Sequence, residues 1–154
     1  MAACGASSES YVIDETHSSV LFNVKHLGIS FVYGRFNQFD GELVFDPEKP
    51  GEASSIYMSV HTASVDTAVQ GRDDHLRSAE YFNVEAYPFM TFQSTGWKQS
   101  SDNRYELTGE FTLLGTTREV TMPVRYIGSG KGFQGEARVG FRTGFTIKRS
   151  DYGM

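Results

Sequence analysis

The chain of 154 residues is predicted to fold as one all-β domain of antiparallel strands. Most of its apolar segments alternate with a period of two, as where Val20, Phe22 and Val24 have Asn23 and Lys25 between them. Turn-forming residues separate these segments, and sixteen glycines suit tight hairpins and bent strands better than helices. A chain of this length can bury one continuous core, so no second domain is required.

The strand pattern recurs along the whole chain. The segments that carry it are, in order, 11–27, 34–46, 56–62, 89–95, 105–113, 119–127 and 133–147. In 34–46, one face is formed by Phe39, Gly41, Leu43 and Phe45. Turn signals lie at 46–51, 100–103, 115–117 and 128–132.

One segment departs from this pattern. Residues 69–79 lack the alternation, and Arg72 to Arg77 have helical propensity, so we predict a short helix capped near Asp66 or Thr67. The aromatic residues of 81–88 then form a loop, because Pro88 disfavours helix in the residue before it.

So many strands with one apolar face must close into a barrel or stack as a sandwich. A barrel of about eight strands is either filled by its own side chains or leaves room for one elongated ligand. The residues alone leave both choices open.

Composition opposes several classes of protein. Twelve Phe, eight Tyr and one Trp, with only 21% charged residues, are atypical of a disordered chain. The formal charge of −5 and the absence of a basic stripe disfavour nucleic-acid binding. No apolar run approaches the roughly 18 to 20 residues that would span a bilayer as a helix.

The single cysteine, Cys4, excludes an intramolecular disulfide and a cysteine-rich zinc site. Small residues precede it and a serine-rich stretch follows, which resembles the end of a bacterial lipoprotein signal whose cysteine is acylated. The charged and apolar parts of such a signal are absent, so a chance N-terminus is the alternative. We therefore interpret 1–10 as a tether with Cys4 as a lipidation candidate and a means of membrane attachment, and 11–154 as the folded domain.

A set of short motifs in fixed order resembles the YceI-like, or polyisoprenoid-binding, family over residues 11–154. The motifs are Asp14-Glu15-Thr16-His17-Ser18, Gly34-Arg35-Phe36, Phe39-Asp40-Gly41, Ser64-Val65-Asp66-Thr67, Gly71 to Ser78, Tyr81-Phe82, Tyr87 to Phe92, Gly109 to Thr117 and Arg149 to Gly153. The resemblance implies a lipocalin-like antiparallel β-barrel with one short helical excursion. It also implies a bacterial protein exported to the periplasm, and an acylated Cys4 would anchor it to an envelope membrane.

The resemblance further implies that a long isoprenoid or similar lipid lies inside the barrel. Each buried methylene contributes ~0.8 kcal/mol, so a long tail needs few polar anchors. The head-group candidates are His26 and Arg72. The ligand-binding candidates are Phe22, Val24, His26, Val32, Phe36, Ile56, Met58, Val60, Leu76, Phe82, Phe92, Phe111, Leu113, Val120, Met122, Phe141 and Phe145.

The chain departs from the family pattern at its end. Family members continue with one more strand, whereas this chain stops at Met154, so we expect the final closing strand to be missing. That would leave an open edge beside the first or penultimate strand, which lowers stability or invites strand addition, including homodimer formation.

The sequence offers little for metal binding or catalysis. The histidines match no zinc spacing, so we expect no metal and no cofactor. Asp14, His17 and Ser18 are triad residue types, but no nucleophile elbow surrounds them, and we expect no enzyme activity. The alternatives are a solid barrel that acts through its surface, for example in stress tolerance, and a hydrolase that uses His17 or His75.

Overall fold

The computed structural model describes residues 9–46 and 54–154, which form a nearly closed antiparallel barrel with one short helix. The all-β prediction is therefore confirmed. The helix α1 spans Gln70–Arg77, and 3-10 turns lie at Thr62–Ser64 and Arg149–Tyr152. The strands are β1 Glu9–Val12, β2 Val20–His26, β3 Ser30–Phe36, β4 Phe39–Phe45, β5 Ser55–His61, β6 Val65–Asp66, β7 Phe89–Ser101, β8 Arg104–Leu113, β9 Thr116–Lys131 and β10 Ala137–Thr143.

The strands form two sheets. The larger has the order β1-β4-β5-β7-β8-β9-β10, and the smaller has the order β2-β3-β6. In the smaller sheet, β2 and β3 form a hairpin in continuous register from Val20 opposite Phe36 to His26 opposite Ser30. β3 pairs with β6 only at Arg35 and Phe36. Within the described residues, the larger sheet thus ends at β1 and β10, and the smaller at β2 and β6.

The prediction of one strand over 34–46 is wrong, because the chain turns a corner at Asn37 and Gln38. β3 and β4, on either side of this corner, belong to different sheets. The backbone amide of Asn37 donates to the carbonyl of Ser64 at 3.1 Å, and that of Gln38 donates to the Ser64 hydroxyl at 3.0 Å. The inward positions change from even to odd between Phe36 and Phe39, and the contact with Ser64, 26 residues from Gln38, holds this corner.

The strand predicted over 133–147 is shorter in the structure, where only β10 is paired. Before it, Gly135 has a φ of +84°, and the Gly132 amide donates to the Glu136 carbonyl at 2.9 Å, which closes a turn. Phe133 is fully exposed on that turn. β7 and β9 extend further than predicted, to Ser101 and Lys131.

The core lies between the two sheets and along the inner face of the larger one. The predicted face of Phe39, Gly41, Leu43 and Phe45 is buried throughout. Other buried apolar residues are Phe36, Val60, Val65, Met90, Phe92, Trp97, Tyr105, Leu107, Phe111, Leu113, Met122, Val124 and Tyr152. Partly buried apolar side chains, Phe22 and Phe141 among them, pack against this set.

The helix is held to the barrel by its own side chains. Its N-cap is Val69, which makes no side-chain cap bond, so the prediction of a cap at Asp66 or Thr67 is wrong. Instead, the buried carboxylate of Asp73 accepts from the Thr67 amide at 2.9 Å and from the Thr67 hydroxyl at 2.5 Å. Arg77 donates to the Val65 carbonyl at 2.9 Å. These bonds fix α1 against β6.

Candidate functional site

The predicted ligand-binding residues lie mostly on the inner side of the barrel. Six are buried: Phe36, Val60, Phe92, Phe111, Leu113 and Met122. Seven are partly buried against the core: Phe22, Ile56, Met58, Leu76, Phe82, Val120 and Phe141. Val24 and Val32 are also partly exposed, opposite each other on the hairpin. His26 is exposed at the end of β2, and Phe145 is 40% exposed with its ring 5.5 Å from that of Phe111.

An aromatic cluster fills one part of the interior. The ring of Phe45 lies 4.9 Å from that of Phe141, 5.8 Å from that of Tyr126, and 6.2 Å from those of Trp97 and Tyr105. Edge-to-face and stacked ring pairs at such distances contribute stability in addition to that from burial of their apolar surface. This part of the barrel is packed by its own side chains.

The hairpin lines a different and more open part. Phe22, Val24 and Val32 share one face of the hairpin, which we call the inner hairpin face, and all three are only partly buried. Phe22 packs on Phe36 and Phe36 on Phe82, each pair at 5.4 Å between ring centroids. Solvent therefore reaches an apolar inner surface here, whereas the same surface is closed around Phe45.

A close approach at Gly34 shapes this face. A Cβ on Gly34 would overlap the ring of Phe22, so the ring can approach the β3 backbone this closely only because the residue is glycine.

Trp97 carries an unpartnered polar atom in the interior. Its side chain is buried, and no acceptor among the described residues lies within hydrogen-bond distance of its indole Nε1. An unsatisfied buried donor costs about 1–3 kcal/mol, which an acceptor oxygen on a bound molecule would recover. The nearby ring of Tyr105 is also buried, and burial raises the pKa of its hydroxyl.

Sequence reasoning missed Trp97 because a bulge changes the parity of β7. Phe92 and Trp97 both face inward, although five positions separate them, since the register shifts between Ser94 and Gly96. The local signal was Gly96 next to an aromatic residue within a strand, which is a known mark of a bulge.

The two head-group candidates differ in what their side chains contact. Arg72 donates from Nε to the Thr67 hydroxyl at 2.7 Å and from Nη2 to the Thr67 carbonyl at 2.8 Å. Those donors hold α1 in place, so a ligand would compete with them. His26 lies on the surface at the hairpin end. Cys4, the lipidation candidate, lies outside the described residues.

His17 and His75, the histidines of the hydrolase alternative, lie on the surface, each beside an acidic residue close in the chain. His17 Nδ1 is 2.8 Å from Asp14 Oδ2 and 2.9 Å from the Thr16 hydroxyl. Hydrogen bonds from Thr16, His17 and Arg138 hold the pKa of Asp14 well below its ordinary value. His75 Nε2 is 2.7 Å from a carboxylate oxygen of Glu80, and both side chains are exposed.

Two open depressions have a volume of about 360 Å³ each. One lies between β9 and the Arg149–Tyr152 turn, and the other lies beside α1 and the corner at Asn37. Within 9–46 and 54–154, no three His, Cys, Asp or Glu side chains are grouped so as to hold a metal ion. No helix in that part of the chain is long and apolar enough to cross a membrane.

Comparison with known proteins identifies the family. The sequence model of the YceI-like domain matches residues 11–154. This chain belongs to the YceI-like family. Among curated relatives, the UPF0312 protein of Azotobacter vinelandii is 42% identical over 151 residues, which cover 97% of this chain and 78% of that protein. The UPF0312 protein of Pectobacterium atrosepticum is 43% identical over 138 residues, which cover 90% and 71%.

Two solved structures share the fold of this chain. BcnA of Burkholderia cenocepacia superimposes with a TM-score of 0.82 at 28% identity, covering 91% of this chain and 83% of that one. The YCEI protein of Campylobacter jejuni superimposes with a TM-score of 0.74 at 33% identity, covering 92% and 82%.

Proposed function

We propose that this YceI-like protein binds a long-chain isoprenoid or a similar amphiphilic lipid, for transport, storage or sequestration. The observation that carries the proposal is the partial exposure of apolar residues that face inward, above all Phe22, Val24 and Val32. A hydrocarbon that covers these side chains would bind favourably, because removal of apolar surface from water contributes roughly 25 cal/mol of free energy per Å². The tail lies along the inner hairpin face in this proposal.

The head of the ligand is proposed to carry a hydrogen-bond acceptor. Trp97 Nε1 supports this, since it is a buried donor with no acceptor among the described residues. Because the rings around Phe45 close over Trp97, the head reaches this atom only when those rings move apart. The surroundings of Trp97 are aromatic, including Phe45 and Phe141, so a neutral carbonyl or hydroxyl oxygen fits it better than a charged group.

Binding can be tested with a detergent-dispersed polyprenol, followed by native mass spectrometry and by the emission of Trp97, the one tryptophan of the chain. Saturable uptake with a change in Trp97 emission is expected. Val24→Lys should abolish it, because a charge would then face the isoprenoid chain. Asn23→Lys is the matched control, since this neighbour lies on the exposed opposite face of the same strand.

Retained uptake in Val24→Lys, or equal loss in both variants, would contradict the placement of the tail. No uptake by the unaltered protein would contradict lipid binding itself.

A second candidate function is favoured by the aromatic cluster around Phe45. If these rings close the interior fully, the barrel is solid and acts through its surface, for example in stress tolerance. The polyprenol titration separates the two, because a solid barrel takes up no lipid.

We also propose that the protein works in the bacterial envelope, in the periplasm or anchored through an acylated Cys4. Cell fractionation of the native protein and of Cys4→Ser tests this. Loss of membrane association in the variant, with a lipid mass on the N-terminal peptide of the native protein, is the expected result. Cytoplasmic recovery of the native protein would contradict it.

A further inference from the structure

The turn of the β2–β3 hairpin is apolar and exposed, and its outer face carries apolar side chains between polar ones. Leu27 and Ile29, at the turn, are 79% and 85% exposed. Leu21, Phe31 and Tyr33, on the outer face, are also exposed, beside Asn23, Lys25 and Arg35. We call the five apolar residues the hairpin patch. A strand that packs one face on a core normally presents polar residues on the other, so five large apolar side chains exposed together indicate a partner.

The end of the hairpin stands clear of its neighbours. β3 pairs with β6 only at Arg35 and Phe36, at the end far from the turn. β2 makes no ladder with a strand other than β3 in the described part of the chain. The turn and the adjoining halves of both strands are therefore paired only with each other, and their outer side chains and the turn are open to solvent.

The turn keeps a large apolar side chain where the backbone disfavours one. Leu27 has a φ of +51°, a left-handed conformation in which Gly, Asn or Asp is usual. Its side chain makes no compensating burial, since it is mostly exposed. Leu27 therefore does not stabilise the turn, and its strained backbone is explained by a use for an exposed apolar side chain at this position.

Cations accompany the patch and acids do not. Lys25 lies directly opposite Phe31, and Arg35 lies opposite Leu21. Residues 20–36 contain no Asp or Glu, although the whole chain has a formal charge of −5. Arg35 also faces Asp66 across β3 and β6, whereas Lys25 makes no ion pair with the described residues.

We propose that the β2–β3 hairpin docks on a lipid membrane with anionic headgroups, with Leu27 and Ile29 inserted below the phosphates. Apolar side chains flanked by basic ones bind such surfaces by burial and by charge together. Docking would bring the inner hairpin face to the source of the lipid, and this role in lipid uptake rests on the proposed function. The membrane binding itself is argued from the residues of the hairpin alone.

A second copy of the chain fits the patch less well. A two-fold dimer through this face would bring the patch of one copy onto the same patch of the other. Lys25 and Arg35 of both copies would then gather around one apolar contact with no acidic residue of the hairpin to balance them.

Vesicle flotation tests the proposal with two lipid mixtures, phosphatidylcholine alone and phosphatidylcholine with phosphatidylglycerol. The protein should float with the anionic vesicles, and less so as salt is raised. Replacing Leu27 and Ile29 together by Ser should weaken this binding at least about tenfold. Replacing Ile127 and Phe133 by Ser, two exposed apolar residues elsewhere, is the matched control and should change it less than about twofold.

Equal flotation of the Leu27/Ile29 variant and the control variant would overturn the proposal. The proposal would also be overturned if light scattering showed a dimer of the unaltered protein and a monomer of the Leu27/Ile29 variant. The patch would then be a contact between copies. Polyprenol uptake from detergent should be unchanged in the Leu27/Ile29 variant. Flotation without any polyprenol uptake would therefore refute the proposed function and leave the docking standing.

Discussion

Arg138 and Asp14 join two parts of the chain that lie 124 residues apart. Arg138 Nη1, on the edge strand β10, donates to Asp14 Oδ2 at 2.5 Å. Asp14 lies in the segment that leads from β1 of the larger sheet to β2 of the smaller. Arg138 also donates from Nε to Glu136 at 2.8 Å, which fixes its guanidinium. The pair thus ties the last strand of the large sheet to the approach of the hairpin.

We expect Arg138→Met to lower the thermal midpoint of unfolding, because the tie between β10 and Asp14 is lost. Arg142→Met is the control, since Arg142 is exposed on the same strand and makes no ion pair in the described residues. The difference between the variants should shrink at high salt, as for any exposed pair. Equal midpoints at low salt would show that the pair contributes nothing.

Asp14 should make stability depend on acid pH. Hydrogen bonds lower its pKa in the folded protein below the ordinary 3.8. A carboxyl with a depressed pKa stabilises the fold above its unfolded pKa, and this is lost as pH falls through the folded pKa. The stability difference between the native protein and Asp14→Asn should therefore be full above about pH 5 and decline below about pH 4. Denaturant unfolding across that range measures it, and a difference that grows in acid would contradict it.

Gly109→Ala should destabilise the barrel by about 1–3 kcal/mol, the usual cost of overpacking. The added Cβ would overlap the carbonyl oxygen of Gln93 and come within 2.5 Å of the Phe92 ring. Gly96→Ala is the control on the neighbouring strand, because a Cβ there meets nothing within 4 Å. Urea unfolding compares the two, and equal costs would show that Phe92 shifts freely.

Asp73→Ala should cost about 1–3 kcal/mol, because it leaves the buried Thr67 amide and hydroxyl without their acceptor. Asp74→Ala, at the next position, removes only an exposed pair with Arg77 and should cost far less. Hydrogen exchange of the Thr67 amide is a direct measurement, and it should accelerate in Asp73→Ala alone. Unchanged exchange there would mean that another group replaces the carboxylate.

Trp97 should let the protein distinguish ligands by their heads. A polyprenol should bind about tenfold more tightly than the hydrocarbon of the same length, because its hydroxyl oxygen accepts from Nε1. Trp97→Phe keeps an aromatic side chain, although a smaller one, and removes the donor, so it should bind the two equally. Competition binding measures the ratio, and a preference that survives in Trp97→Phe would place the head elsewhere.

Much of the fold could be predicted from local patterns. Alternation on 34–46 identified the inward face of Phe39, Leu43 and Phe45, which the structure buries. The loss of alternation over 69–79 predicted helix α1, and the order of the motifs identified the family. These predictions succeed because burial of one face of a strand leaves its period in the sequence itself.

Tertiary structure decided what depends on contacts distant in the chain. The hydrogen bonds of Ser64 hold the corner at Asn37, and the pairing of β7 with β8 sets the bulge that brings Trp97 inward. Alternation also assigned Phe22 and Phe111 to the same inner surface, yet only the packing of the two sheets made one partly exposed and the other buried. Sequence periodicity specifies which side of a strand faces inward. How deeply a residue is covered depends on which strands lie opposite, and those are chosen by the fold as a whole.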